Sequence, residues 1–133
     1  GWSEAHSMLI YTDRRSEKFN DININNNVEL LWLFPKSKCQ YRLKGEAYEI
    51  KENKKFWDTL SENSKATWFW PNPGGKLSTR SAYDTPKKLE LPRTFAVIEV
   101  KMNYVELLKL ERPIHKRCCW SKQKGWNRID MNP

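Results

Sequence analysis

The chain has 133 residues and a formal charge of +8, from 24 Lys and Arg against 16 Asp and Glu; 38% of it is hydrophobic and 13% aromatic, with seven Trp. That length suits one domain around one core, and so many aromatic residues exclude a disordered chain. No apolar run is long enough to span a bilayer, and no signal peptide is visible.

The expectation is a soluble, cytoplasmic protein. Three cysteines (Cys39, Cys118 and Cys119) make an odd count, two of them adjacent, which fits reduced thiols better than a disulfide framework. With two His and no C-x-x-C spacing, no metal site is expected. The basic excess favours anionic partners such as phosphates, nucleic acid or acidic surfaces, and does not choose among them.

Residues 8–12 form a short β-prone run that stops at Thr12-Asp13, both good helix N-caps. A short helix is predicted from Arg14 to Asn26, with Phe19 and Ile22 on one face and the Asn run 25–27 as its exit. Val28 to Phe34 is apolar throughout, which predicts a buried strand ended by Pro35. The next strand runs from Gln40 to Ile50 and changes phase near Gly45, as at a bulge or bend. Asn53 is placed as the cap of a helix carrying Phe56, Trp57 and Leu60, and Ser64 opens another through Trp70. Residues 71–92 are rich in Pro, Gly, Ser, Thr and Lys and read as a long loop, mobile or functional. Two strands follow at 94–102 and 104–110, then a closing hairpin at 116–131 turning at Lys124-Gly125. Antiparallel strands with short helices between them give an α+β domain, mainly β, built around a small barrel.

Thr12-Asp13-Arg14-Arg15-Ser16-Glu17-Lys18 is the most informative stretch, because it lies where a strand hands over to a helix. A helix start offers free N–H groups and a positive dipole end; Arg adds a fork, Ser a hydroxyl and Lys a point charge, which together suit a phosphate. Taken alone, the stretch also reads as a capped helix with ordinary surface cations.

The wider order of motifs resembles the pyridoxamine 5'-phosphate oxidase-like FMN-binding family. The resemblance rests on T-D-x-R-S-x-K at 12–18, W-x-F-P at 32–35, Gln40-Tyr41-Arg42-Leu43-Lys44-Gly45, Trp57-Asp58-Thr59-Leu60-Ser61, Trp70-Pro71-Asn72-Pro73-Gly74 and the terminal Met131-Asn132-Pro133. It implies an antiparallel split β-barrel with short flanking helices, a homodimer, and FMN held at the dimer interface. By position, Arg15, Ser16 and Lys18 would grip the flavin phosphate with Thr12 beside it, and Gln40 would hydrogen-bond the cofactor. Arg112 to Arg117 is similar to the R-L-H-x-R stretch of the true oxidases, which makes Arg117 a flavin contact and His115 a substrate-side residue; a loop histidine without a role stands beside the latter. Leu108-Lys109 replaces a Trp of those oxidases, and Glu17 replaces a residue that is often basic, which points away from pyridoxamine phosphate as the substrate. The chain is also expected to be one domain lacking the family's N-terminal helix and first strands.

The resemblance implies an FMN-dependent oxidoreductase acting on a small substrate, in which the flavin carries the chemistry and no hydrolytic triad is needed. A non-catalytic FMN-binding or sensor protein differs only in whether substrate reaches the flavin. A basic nucleic-acid-binding module is the third reading, motivated by the charge and the Trp-rich segment 57–70. Helical spacing of those Trp favours core packing instead.

Overall fold

The computed structural model describes residues 7–133. In chain order the elements are β1 (Ser7–Asp13), α1 (Glu17–Ile24), β2 (Asn27–Phe34), β3 (Cys39–Ile50), α2 (Lys54–Asp58), α3 (Glu62–Thr67), β4 (Phe95–Lys109), β5 (Lys116–Ser121) and β6 (Ile129–Met131). Short 3-10 turns lie at Pro35–Ser37, Arg80–Tyr83 and Lys122–Lys124. The strand order is β2-β3-β4-β5-β6, with β1 pairing β4. The pairs β2–β3, β4–β5 and β5–β6 are antiparallel. An α+β fold dominated by an antiparallel sheet is therefore what the sequence encodes.

Contacts divide the chain into two compact units. The first holds Leu9–Asn26 and Tyr48–Glu99; the second holds Asn27–Ala47 and Val100–Pro133, with residues 7 and 8.

In the first unit, Trp57, Phe95 and Val97 form a buried core against which Tyr11, Phe56, Trp68 and Phe69 pack. Trp57 and Trp68 meet the Phe95 ring edge-on, at 5.2 and 4.9 Å between centroids, a geometry worth roughly 0.5–1.5 kcal/mol per pair beyond area burial. Asn53 stands at the start of α2, but its side chain caps nothing there. Its buried amide instead donates to the Phe95 carbonyl at 3.0 Å, because an inward Asn must find a partner and β4 offers one. The next helix begins at Glu62 rather than Ser64, since the Ser61 hydroxyl accepts from the Ser64 N–H and caps it.

In the second unit, β2 and β3 pair without interruption from Asn27↔Glu46 to Phe34↔Cys39. No bulge occurs at Gly45. Its small size serves a close approach: a Cβ there would collide with the Lys101 carbonyl oxygen and lie 2.9 Å from the Met102 Cα. The two strands expected at 94–102 and 104–110 are one, Phe95–Lys109, because the weak strand preference of Asn103 yields to pairing on both sides. The closing hairpin is present, with Gly125 in the left-handed region at φ 62°.

The expectation of a buried β2 is corrected. Leu31, Trp32, Leu33 and Phe34 are all exposed, Leu31 and Leu33 by more than half. β2 ends the strand order and pairs only with β3 among the described residues, so its apolar character is not matched by burial within them.

Candidate functional site

The structure brings Thr12, Arg15, Ser16 and Lys18 together in the first unit. β1 runs through Asp13, one residue past Thr12, and α1 starts only at Glu17, so the helix predicted from Arg14 begins three residues later. The reason lies in Asp13. Its carbonyl accepts from the Ser16 N–H at 3.0 Å and from the Ser16 hydroxyl at 2.7 Å, and its carboxylate accepts from the Arg15 N–H at 2.8 Å. These bonds hold a turn between strand and helix.

Ser16 is the N-cap residue, yet its side chain bonds no helix N–H. Among the described residues the Glu17 and Lys18 N–H groups in the first turn of α1 have no partner, and no side chain caps its dipole end. Beside that turn opens a cleft of about 560 Å³ lined by Arg15, Ser16, Lys18, Asn20, Pro73 and Gly74 among others. Lys18 is exposed. Thr12 is buried, with its hydroxyl 3.5 Å from that of Ser16.

Arg15 is anchored. Its Nε and Nη2 donate to Asp13 at 3.0 and 2.7 Å, Nη2 also to the Trp70 carbonyl at 3.0 Å, and Nη1 to Asn72 Oδ1 at 2.8 Å. Burial alone would push the Asp13 carboxyl up, but the hydrogen bonds from the Arg15 side chain and backbone outweigh it and hold it below the usual carboxylate range. Arg14, the neighbouring cation, faces other partners: it pairs with Glu49, donates to the Arg93 carbonyl and lies over the Phe19 ring. The sequence does not distinguish these two arginines, nor does it show that the Trp70–Gly74 loop closes on Arg15. Only the chain path, 57 residues later, brings Asn72 to it. The Trp70 ring itself packs edge-on against Tyr83.

Gln40, His115 and Arg117 belong to the second unit and do not join this group within it. Gln40 is half-buried on β3 opposite Leu33. Arg117 donates from Nε to Glu106 at 3.0 Å, and the Tyr104 hydroxyl donates to the other Glu106 oxygen at 2.7 Å. Glu106 is buried; burial pushes its carboxyl up, but the bonds from Arg117 and Tyr104 hold it below the usual range. Burial and the Glu106 carboxylate push the Tyr104 hydroxyl well above its ordinary value, so it stays a donor. Glu106 and Tyr104 went unassigned in the sequence, where period-two alternation marks them only as same-face strand residues. His115 is exposed, its Nδ1 3.1 Å from the Glu111 carbonyl.

Residues 1–51 match the family described as pyridoxamine 5'-phosphate oxidase, FMN-binding domain. No curated protein sequence matches the chain. Among solved structures, a pyridoxamine 5'-phosphate oxidase-related, FMN-binding protein from Nostoc punctiforme PCC 73102 superposes with a TM-score of 0.83 at 23% identity, over 100% of this chain and 77% of that one. The fold is that of the pyridoxamine 5'-phosphate oxidase-like split barrels. PhzG from Burkholderia lata 383, solved with tetrahydrophenazine-1-carboxylic acid, gives 0.78 at 15% identity over 100% of this chain and 72% of its own. General Stress Protein 26 from Bacillus anthracis str. Sterne gives 0.52 at 14% identity, over 97% and 73%. The resemblance read from the ordered motifs is thus met by the family match over the first 51 residues and by the fold over the whole chain. The matched family is an FMN-binding one. Among the described residues no helix is long and apolar enough to cross a membrane.

Proposed function

We propose that the chain is an FMN-binding flavoprotein of the split-barrel type that acts as an oxidoreductase on a small substrate. The observation that carries this reading is the start of α1: a helix end uncapped by any side chain, with Lys18 and an anchored Arg15 at one cleft. The residues fit a phosphate monoester. Backbone N–H groups supply directed donors, Lys18 supplies the net charge, and Arg15 adds an oriented donor whose own charge Asp13 balances. Ser16 lines the cleft, and the buried Thr12 hydroxyl lies 3.5 Å from that of Ser16.

Bound FMN supplies two-electron redox chemistry at its ring. The chain's own residues bind and orient. Gln40 and Arg117 serve as ring-side contacts, with Arg117 held in place by Glu106, and His115 serves on the substrate side. A homodimer supports the same reading, because the four consecutive exposed apolar residues of β2 need a partner surface. Core packing of Trp57 and Trp68 takes two tryptophans of segment 57–70 away from base stacking, while Trp70 stays exposed beside Tyr83.

A purified preparation should be yellow and release FMN on heating. Lys18→Glu should raise the FMN dissociation constant roughly 10- to 100-fold, as expected for losing a charged hydrogen bond and adding a repulsive charge; unchanged affinity would refute the phosphate assignment. Turnover is read by anaerobic reduction followed by mixing with oxygen and candidate amines. Absence of substrate-dependent bleaching at any concentration would make the protein a flavin carrier or sensor instead.

A further inference from the structure

The connection between β2 and β3 and the one between β4 and β5 meet in the second unit, where the Leu110 N–H donates to the Lys38 carbonyl at 2.9 Å. That backbone bond fixes one loop against the other. Lys38 takes the left-handed conformation, φ 52° and ψ 36°, at the end of the Pro35–Ser37 turn. Between the two connections lies a cleft of about 820 Å³ whose lining includes Lys36, Lys38, Lys109, Arg112 and His115.

Charge in this cleft is unbalanced. Its one lining carboxylate among the described residues, Glu111, is already shared by Lys116 at 2.5 Å and Lys109 at 3.1 Å, and those two lysines hold it below the usual carboxylate range. Lys36, Lys38 and Arg112 have no ion pair among the described residues. His115 adds a donor or acceptor. The Glu111 carbonyl can only accept, so the Nδ1 it faces carries the proton, and Nε2 donates to an anion only in the imidazolium, where both ring nitrogens are protonated. Three unbalanced cations from two tied loops match a compact polyanion rather than a single anion. Two linked phosphate groups carry roughly −3 at neutral pH. Among the described residues no Phe, Tyr or Trp lines the cleft, which leaves it without the usual stacking platform for single-stranded nucleic acid.

We propose that this cleft binds a small ligand carrying two or more linked phosphate groups, through Lys36, Lys38 and Arg112. Lys36, Lys38 and Arg112 are given no flavin contact and the site does not depend on the flavin reading, which keeps His115 for its substrate side.

Isothermal titration of pyrophosphate into the full chain at low salt tests the proposal. One saturable site is expected, with inorganic phosphate binding more weakly. The Lys36→Ala/Arg112→Ala double variant should lose at least about tenfold in affinity, whereas Lys18→Glu should leave it intact. Affinity that survives the double variant, or that Lys18→Glu abolishes, overturns the proposal, because the anion then sits beside α1 or nowhere in particular. Should the double variant fail to fold, Lys38→Ala is read in the same titration. ADP run in parallel separates two sources of the same chemistry: tighter binding than pyrophosphate assigns a nucleotide, and equal affinity assigns a free oligophosphate. Flavin content measured in the same samples reports the cofactor reading separately.

Discussion

Asp13 and Glu106 treat two arginines alike. Each carboxylate sits beside an arginine expected to meet the flavin, Arg15 and Arg117, and each holds its guanidinium at hydrogen-bond distance. A long side chain fixed in this way has little rotamer freedom left to lose when a ligand arrives. Its contribution is direction more than charge. The Glu106 group also makes a stability statement. Its carboxyl titrates below its ordinary value of 4.5 in the folded chain, so the stability it contributes is present above that value and lost as pH falls through the folded one. Glu106→Gln should therefore cost about 1–3 kcal/mol at pH 7, where a buried charged hydrogen-bond partner is removed. Urea unfolding from pH 8 downward should show that deficit constant to about pH 5 and shrinking below pH 4.5. A deficit that persists unchanged into acid would mean the carboxylate's charge plays no part.

At the scale of elements, Gly45 and β2 carry the predictions. Gly45→Ala places a methyl group against the Lys101–Met102 backbone, which has no flexible side chain to move aside. Overpacking of this kind costs typically 1–3 kcal/mol, visible as a lower urea midpoint with an unchanged slope. The sequence singled out Gly45 correctly but for another reason, since a phase change in alternation cannot tell a bulge from a close crossing. Element types were legible because the 3.6 and 2.0 periodicities are local, and so was the heptapeptide at 12–18. Its inner organisation was not: Arg15 takes Asn72 and Arg14 takes Glu49 through contacts 57 and 35 residues away in the chain. The burial of β2 was misread because an apolar run records only that something covers it, not that the same chain does. Leu31→Lys with Leu33→Lys should turn a dimer into a monomer in analytical ultracentrifugation while leaving far-UV circular dichroism unchanged. A variant that still sediments as a dimer would move the interface elsewhere.

For the molecule as a whole, ligand and partner act on stability by mass action. FMN at about 100 times its dissociation constant adds about 2.7 kcal/mol, which for a chain of this length raises the melting midpoint on the order of 10 °C. Riboflavin, which lacks the phosphate, should give a much smaller rise; an equal one would place the recognition on the ring. The exposed strand β2 bears on the same balance through concentration. In the proposed dimer, with a flavin seated between two copies, dilution should separate the copies and free the cofactor in one event, giving colour retention a second-order dependence on protein. The separated chain then carries an apolar sheet edge into solution, open to any strand that meets it. On that reading, scarcity strips the chain of its cofactor and bares that edge together.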